Sequence, residues 1–299
     1  MKNITSFGEI LFDVYPDKKT LGGAPFNFIY HIKKLTGSGN FISRIGDDEL
    51  GKNILSLVSS SGIETKYIQI DKNYPTGAAN ANLDKDKIPH WQIELNRAYD
   101  FIEYNSDISR LIEEKSDCLY FGTLAQRNEK SRKTIQTLFG KKIKYFCDLN
   151  IRQDFYSKKI IESSLTASDA VKLNLEELDL VNDLLIKGKS GIEETARQIM
   201  NKYKIELLCV TQGSEGASLF KEKDSDYCKI GIGNIVDTVG AGDAYAAVLC
   251  LGYLNGWKIS RINKLASEFA GKIVTFPGAI PKDDSIYNIF KKEFINERK

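Results

Sequence analysis

Apolar residues in this chain gather into short, nearly unbroken runs. These are Ile4 to Val14 (interrupted at Gly8-Glu9), Asn40 to Ile45, Cys118 to Phe121, Ile143 to Cys147, Ala170 to Leu173 and Leu207 to Val210. Runs that do not alternate in polarity suit strands buried on both faces of a parallel sheet. Between them, Asn53 to Ser60, Ser131 to Leu138 and Gly191 to Tyr203 carry apolar positions at helical spacing and are long enough for crossovers. The order predicts a doubly wound α/β core. From about Lys66 to Tyr104 the pattern changes: YIQI, GAANANL and HWQIEL have period-2 character and are separated by the turn-like DKNYPTG and DKDKIP. This predicts a small antiparallel unit inserted in the core, read as a lid that shields a substrate from water, or else as a plain hairpin.

Each core run ends in polar or glycine residues. Phe121 leads to Gly122-Thr123, Cys147 to Asp148-Leu149-Asn150, Leu173 to Asn174, and Val210 to Thr211-Gln212-Gly213. One such ending is ordinary turn chemistry. Four together favour a site, because open parallel sheets bind ligands outside the carboxyl ends of their strands.

Composition removes several alternatives. The 299 residues carry 42 Lys plus Arg against 40 Asp plus Glu, a formal charge of +2 that lacks the basic excess of a nucleic-acid-binding surface. No stretch reaches the roughly 18 uninterrupted apolar residues of a membrane span, and Glu9 and Asp13 spoil the N-terminus as a secretory signal. A soluble, cytoplasmic protein is expected, with neither nucleic acid nor membrane as partner. Five widely spaced cysteines without a C-x-x-C pair support neither a disulfide framework nor a zinc site. Two histidines, His31 and His90, leave little for a His-rich metal site.

The strongest local signal is DTVGAGDAYAAVLCLGYLNG, Asp237 to Gly256. Gly240-Ala241-Gly242 leaves the backbone unencumbered, and the apolar run from Ala244 predicts a buried helix starting at the glycine loop. Unpaired N–H groups at such a helix start, aligned with its dipole, form an anion site suited to a transferring phosphoryl group. Asp243 there has two readings: a helix N-cap, or a general base beside the anion hole. A second phosphate-like stretch, Gly46-Asp47-Asp48-Glu49-Leu50-Gly51-Lys52-Asn53, nearly spells a P-loop. Three acidic residues would repel a triphosphate, and Asn53 replaces the hydroxyl residue that binds magnesium, so the acidic residues are read as favouring the start of a helix. Gly231-Ile232-Gly233-Asn234-Ile235-Val236 lacks the third glycine of a dinucleotide fingerprint.

Taken together, these residues resemble the ribokinase-like (PfkB-type) carbohydrate kinases over nearly the whole chain. Gly8-Glu9-Ile10-Leu11-Phe12-Asp13 resembles the family's first strand with its sugar-binding aspartate, and Gly22-Gly23-Ala24-Pro25-Phe26-Asn27 its N-terminal signature. Gly46-Asp47-Asp48 with Gly51 is a further family feature, and Asp237 to Asp243 is similar to the C-terminal signature. The texture of PTG at Pro75, FGTLAQR, DLNIRQDFY and KLNLEE is most like bacterial fructokinases. The resemblance implies a three-layer, doubly wound, mostly parallel α/β fold with a small β-sheet lid. It forms one kinase domain over residues 1–299, the lid drawn from about 12–22 and 66–104.

It also implies roles. Asp243 would be the catalytic base, with Gly240, Ala241 and Gly242 as the anion hole. Asp13, Gly23 and Asn27 would bind sugar hydroxyls, joined by Gln126 and Arg152. Thr211, Gly213, Gly216 and Asn174 would receive ATP, and Asn174 and Glu177 would hold magnesium through water. Asp237, Val239 and Gly278 occupy positions associated with a monovalent cation, potassium, in some relatives. Read without the resemblance, Gly22-Gly23 is an ordinary turn, Glu177 a solvated helix residue, Arg127 and Arg152 surface or salt-bridge residues, and Trp91 either packs in the lid or stacks on sugar. Ile29 and Val248 are bulkier than the signatures usually carry. The expected activity is ATP-dependent phosphorylation of a sugar primary hydroxyl, D-fructose to D-fructose 6-phosphate. The alternatives are ribose, 2-keto-3-deoxygluconate, a nucleoside or a sugar phosphate as substrate, or a non-catalytic sugar-binding protein. An exposed lid edge offers a route to a homodimer.

Overall fold

The computed structural model describes residues 2–83, 89–188, 191–229, 231 and 234–295. In chain order the strands are β1 (Ile4–Phe7), β2 (Leu11–Val14), β3 (Lys19–Gly22), β4 (Asn40–Gly46), β5 (Ile68–Asp71), β6 (Gly77–Leu83), β7 (Pro89–Ile93), β8 (Cys118–Phe121), β9 (Lys144–Asp148), β10 (Ala170–Asn174), β11 (Leu207–Thr211), β12 (Ala217–Lys221) and β13 (Asp224–Cys228). The α-helices are α1 (Ala24–Thr36), α2 (Glu49–Ser60), α3 (Ser106–Lys115), α4 (Glu129–Leu138), α5 (Lys158–Ala167), α6 (Leu175–Val181), α7 (Ile192–Tyr203), α8 (Ala241–Leu254), α9 (Ile259–Ile273) and α10 (Ser285–Ile295).

Nine strands form one sheet in the order β13-β12-β11-β10-β9-β8-β1-β4-β5, parallel from β11 to β5, with β12 and β13 added antiparallel at one edge. The unbroken apolar runs are explained by helices on both faces. One apolar cluster joins the sheet to α1, α2, α8, α9 and α10, and the other joins it to α3 through α7. The fold is the ribokinase-like three-layer α/β architecture. The antiparallel β12-β13 hairpin was not expected from the sequence. Its outer strand is mostly exposed, so it lacks the apolar run that marked the others.

A separate four-stranded sheet, β3-β2-β6-β7, stands beside the core. The first apolar run feeds both sheets, because Gly8, at φ 149°, turns the chain between β1 and β2. The expected lid range of 66–104 is too wide. Ile68–Asp71 pairs in parallel with β4 and closes the edge of the large sheet, with register Ser43 to Ile68. Period-2 polarity does not distinguish an edge strand from a hairpin strand, and burial here does not follow the alternation, since Ile70 is exposed and Asp71 buried. Nor is the small sheet a simple meander, since β2 and β6 are parallel.

Helix α8 is apolar around its circumference, and Ala244 to Gly252 are all buried between the sheet and α1 and α9. Gly252 permits this, since a Cβ there would lie 2.7 Å from Ile262. The two bulky departures, Ile29 and Val248, are fully buried in the same cluster. Ile29 fits because Gly39 stands opposite, where a Cβ would come within 3.0 Å of its Cδ1.

The rejected P-loop stretch has a structural task. Asp48 caps α2, accepting from the Gly51 N–H at 2.8 Å, and also accepts from the Thr76 hydroxyl at 2.7 Å and the Thr76 N–H at 2.8 Å. One carboxylate therefore ties a core helix to the residue that enters β6 of the small sheet. Replacing Asp48 with Ala removes the cap and strands these donors, and should cost about 1–3 kcal/mol in urea unfolding. Asp48→Asn should retain part of that stability.

Candidate functional site

At the carboxyl ends of β1, β9 and β10 lies a cavity of about 390 Å³. Its lining includes Glu9, Asp13, Gly23, Asn27, Asn150, Arg152, Lys172, Gly240, Gly242 and Asp243. The chain runs outward from β1 to β4 and β5 and then returns to β8 on the other side, so the strand order reverses beside β1. Such a switch point is where an open α/β sheet leaves a crevice.

The glycine loop starts α8 as expected, but Asp243 is not its cap. Gly240 occupies the N-cap position in a left-handed conformation, φ 79°, and Asp243 lies in the first turn. Gly240 is required twice over, because a Cβ would also lie 2.3 Å from the Cβ of Ala279. The Asp243 carboxylate accepts a 2.8 Å hydrogen bond from Nδ2 of Asn27 on α1. Burial raises the Asp243 carboxyl to about 6, with nearby Asp148 adding to the rise and the Asn27 bond, Lys172 and Arg152 opposing it.

Gly22 and Gly23 are more than a turn. A Cβ on Gly22 would lie 2.6 Å from Oδ2 of Asp13, and one on Gly23 would lie 2.6 Å from the carbonyl oxygen of Glu9. Gly23 also caps α1 at φ 105°, which orients the first turn bearing Asn27. Asp13 is raised to about 6 by burial, with Arg152 opposing. Arg152 is exposed on the segment after β9, where Asn150 and Gln153, φ 42° and 48°, hold conformations that cost energy in non-glycine residues.

Several expected residues stand elsewhere. Gln126 does not line the cavity: it is fully buried, donating to the Gly122 carbonyl and the Ser164 hydroxyl. It follows β8, whose loop turns toward α4 and α5. Arg127 is an ion-pair residue, bound to Asp100 at 2.7 Å and packed on Tyr99 and Phe155. Trp91 is outside the residues whose side chains are described.

Asn174 and Glu177 form a capping box at α6, where Oδ1 of Asn174 accepts from the Glu177 N–H. The Glu177 carboxylate accepts from the Asn174 N–H at 2.8 Å and the Ile151 N–H at 2.7 Å. Glu177 is thus buried, not on a solvated face. Among the described residues no cluster of His, Cys, Asp or Glu could hold a metal directly. Asp237, Val239 and Gly278 do meet: the Asp237 carboxylate accepts from the N–H groups of Val239 at 3.0 Å and Gly278 at 2.9 Å. These contacts clamp the glycine loop to the turn before α10. Gly213 (φ 58°) and Gly216 (φ 120°) shape the loop after β11, and a Cβ on Gly216 would collide with the Cys228 carbonyl at 2.1 Å.

Two charged residues of the cavity, Lys172 and Glu9, were given no role from the sequence. Lys172 pairs with both oxygens of Asp148 at 2.9 Å, and Glu9, 3% exposed, is raised to about 7 by burial and has one carboxyl oxygen without a partner. A lysine inside the apolar run Ala170 to Leu173 was the available signal.

The whole-chain comparison decides the family: residues 1–285 match the pfkB family carbohydrate kinases. The chain belongs to that family. A putative sugar kinase of Pyrococcus horikoshii is 28% identical over 309 residues, covering 95% of this chain and 94% of that protein. Its crystal structure superposes with a TM-score of 0.82 at 25% identity, over 98% and 99% of the two chains. A fructokinase of Escherichia coli is 26% identical, covering 91% of this chain and 93% of the enzyme. A 2-dehydro-3-deoxygluconokinase of Thermotoga maritima has the same fold, with a TM-score of 0.81 at 18% identity over 98% and 100%. This PfkB carbohydrate kinase thus lies among sugar kinases of differing substrate.

The raised Asp243 carboxyl has a consequence for stability. Its folded value, about 6, lies above the ordinary 3.8, so ionising it disfavours the folded state. The penalty is absent below pH 4, grows as pH rises through 6, and is full above 7. Asp243→Asn should therefore stabilise the unliganded protein by about 1–2 kcal/mol at pH 7.5. Urea unfolding at pH 4 should show that gain gone.

Proposed function

We propose that this kinase transfers the γ-phosphoryl group of ATP to a primary hydroxyl of a small neutral sugar, D-fructose being converted to D-fructose 6-phosphate. The observation that carries the reading is the placement of Asp243. A desolvated carboxylate stands in the first turn of α8, in the cavity that also presents Asp13, Gly23 and Asn27. Asp13 and Asn27 are directional partners for a polyol, and a buried site of this kind rejects analogues that leave its polar groups unpaired.

In this reading Asp243 takes the proton of the C6 hydroxyl as that oxygen attacks the γ-phosphorus in line. The N–H groups of Gly240, Gly242 and Asp243, with the helix dipole, stabilise charge on the phosphoryl oxygens, whereas that of Ala241, expected in the same role, donates to the Thr238 carbonyl at 3.3 Å. Thr211, Gly213 and Gly216 receive the nucleotide, whose phosphates need no basic surface. When bound, magnesium would supply charge neutralisation for the nucleotide. Since both side chains of the capping box already accept backbone N–H groups, Asn174 and Glu177 suit a metal held through water better than direct ligation. The Asp237 turn is the place for a monovalent cation. The small sheet acts as a lid, with Leu11, Asp13, Ala79 and Ile93 contributed to the cavity wall.

A second substrate, 2-dehydro-3-deoxygluconate, is favoured by one feature: exposed Arg152 on the cavity lining offers a bidentate partner for a carboxylate. Against it stand Glu9, Asp13 and Asp243, three carboxyls in the same lining.

ADP release measured over fructose, ribose, 2-dehydro-3-deoxygluconate, nucleosides and sugar phosphates, with and without potassium, tests the reading. Fructose is expected to give the highest kcat/KM, and a tenfold advantage for the sugar acid would replace it. Asp243→Asn should lower kcat by about a thousandfold or more with fructose affinity nearly retained. Unchanged turnover would remove Asp243 as the base.

A further inference from the structure

Lys172 sits third in β10, between the buried apolar residues Val171 and Leu173, and is 7% exposed. Its ammonium is 2.9 Å from each oxygen of Asp148, which also accepts from the Tyr120 hydroxyl at 3.1 Å. The Tyr120 ring is itself fixed by stacking on Phe28, with centroids 3.6 Å apart. A buried ion pair of this sort is a poor source of stability, since apolar replacements of similar volume are often no worse. Its position gives it another use. Lys172 lines the cavity with Gly240, Gly242 and Asp243, and a Cβ placed on Gly242 would lie 3.4 Å from Nζ. With glycine there, no side chain separates the ammonium from the start of α8.

We propose that Lys172 is a catalytic residue of the transfer step, its ammonium contacting the oxygens of the moving phosphoryl group while Asp148 and Tyr120 hold it in place. Asp148 takes two of its three N–H donors and leaves one for a phosphoryl oxygen. The sugar oxygen forms a bond to the γ-phosphorus, and its proton goes to Asp243. The bond from that phosphorus to the β,γ-bridging oxygen breaks, with the electron pair leaving on ADP. Lys172 neither gives nor takes a proton. It adds fixed positive charge beside the start of α8, where charge is cheaper to stabilise with a preorganised group than with water. The inference rests on the reading of α8 as the anion site, and applies to whichever sugar the wild-type enzyme turns over in the panel above.

Lys172→Met alone would leave Asp148 buried and unpaired, so the decisive variant is Lys172→Met with Asp148→Asn, a neutral pair of similar size. Three quantities are measured: kcat and sugar KM, the Kd of ADP, and the Kd of ADP with aluminium fluoride and sugar as a mimic of the transferring group. The expected result is a fall in kcat of about a hundredfold or more, matched by weaker binding of the mimic. ADP affinity and sugar KM should stay within about threefold of wild type. Asp148→Asn alone, which keeps the cation but weakens its anchor, should lose less kcat than the double variant. The proposal is overturned if the double variant keeps kcat within about fivefold of wild type. It is equally overturned if ADP alone and the mimic lose affinity by the same factor, since that marks a structural role.

Discussion

The hydrogen bond from Asn27 to Asp243 joins the first turns of α1 and α8, the two helices whose starts bound the cavity. Everything around it is arranged so that both turns arrive there. Gly23 and Gly240 adopt backbone conformations that an L side chain resists, and each sits where a Cβ would strike neighbouring atoms. Behind them, α1 and α8 pack on each other and on the same sheet face through aromatic and small residues. Asn27 and Asp243 are separated by 216 residues of sequence, yet meet at 2.8 Å.

The site concentrates groups that water would otherwise solvate. Glu9, Asp13 and Asp243 all have carboxyls raised by burial, while Arg152 opposes the rise at all three and Lys172 opposes it at Asp243. This costs stability in the empty protein and leaves polar atoms unanswered, among them one oxygen of Glu9 and Oδ1 of Asn27. Buried polar atoms without partners are rare unless a ligand completes them. A polyol, which offers hydroxyls as both donors and acceptors, is the complementary chemistry.

Much of this was legible in the chain itself. Parallel strands declared themselves as unbroken apolar runs, and the α8 start as glycines followed by an all-apolar helix. What escaped had physical reasons. The β5 edge strand and a hairpin strand share period-2 polarity, so Ile68–Asp71 was placed in the wrong sheet. Gln126 carries the same amide whether it faces a sugar or, as it does, the Ser164 hydroxyl in the core. Lys172 and Asp148 lie 24 residues apart on adjacent strands, and only the parallel register that places Lys172 beside Asp148 reveals the pair. Of the two readings of Asp243 that the sequence left open, the helix cap falls because Gly240 takes that position.

The central claim is that Asp243, held by Asn27, is the base. The pH dependence of kcat/KM for the best sugar, in wild type and in Asn27→Ala, tests it most directly, because that profile reports ionisations of the free enzyme. The wild type should show a fall in rate as pH drops through about 6. Loss of the Asn27 bond, which favours the ionised carboxylate, should move that limb to higher pH. A flat profile from pH 5 to 8, or a limb that stays in place when Asn27 is removed, would contradict it.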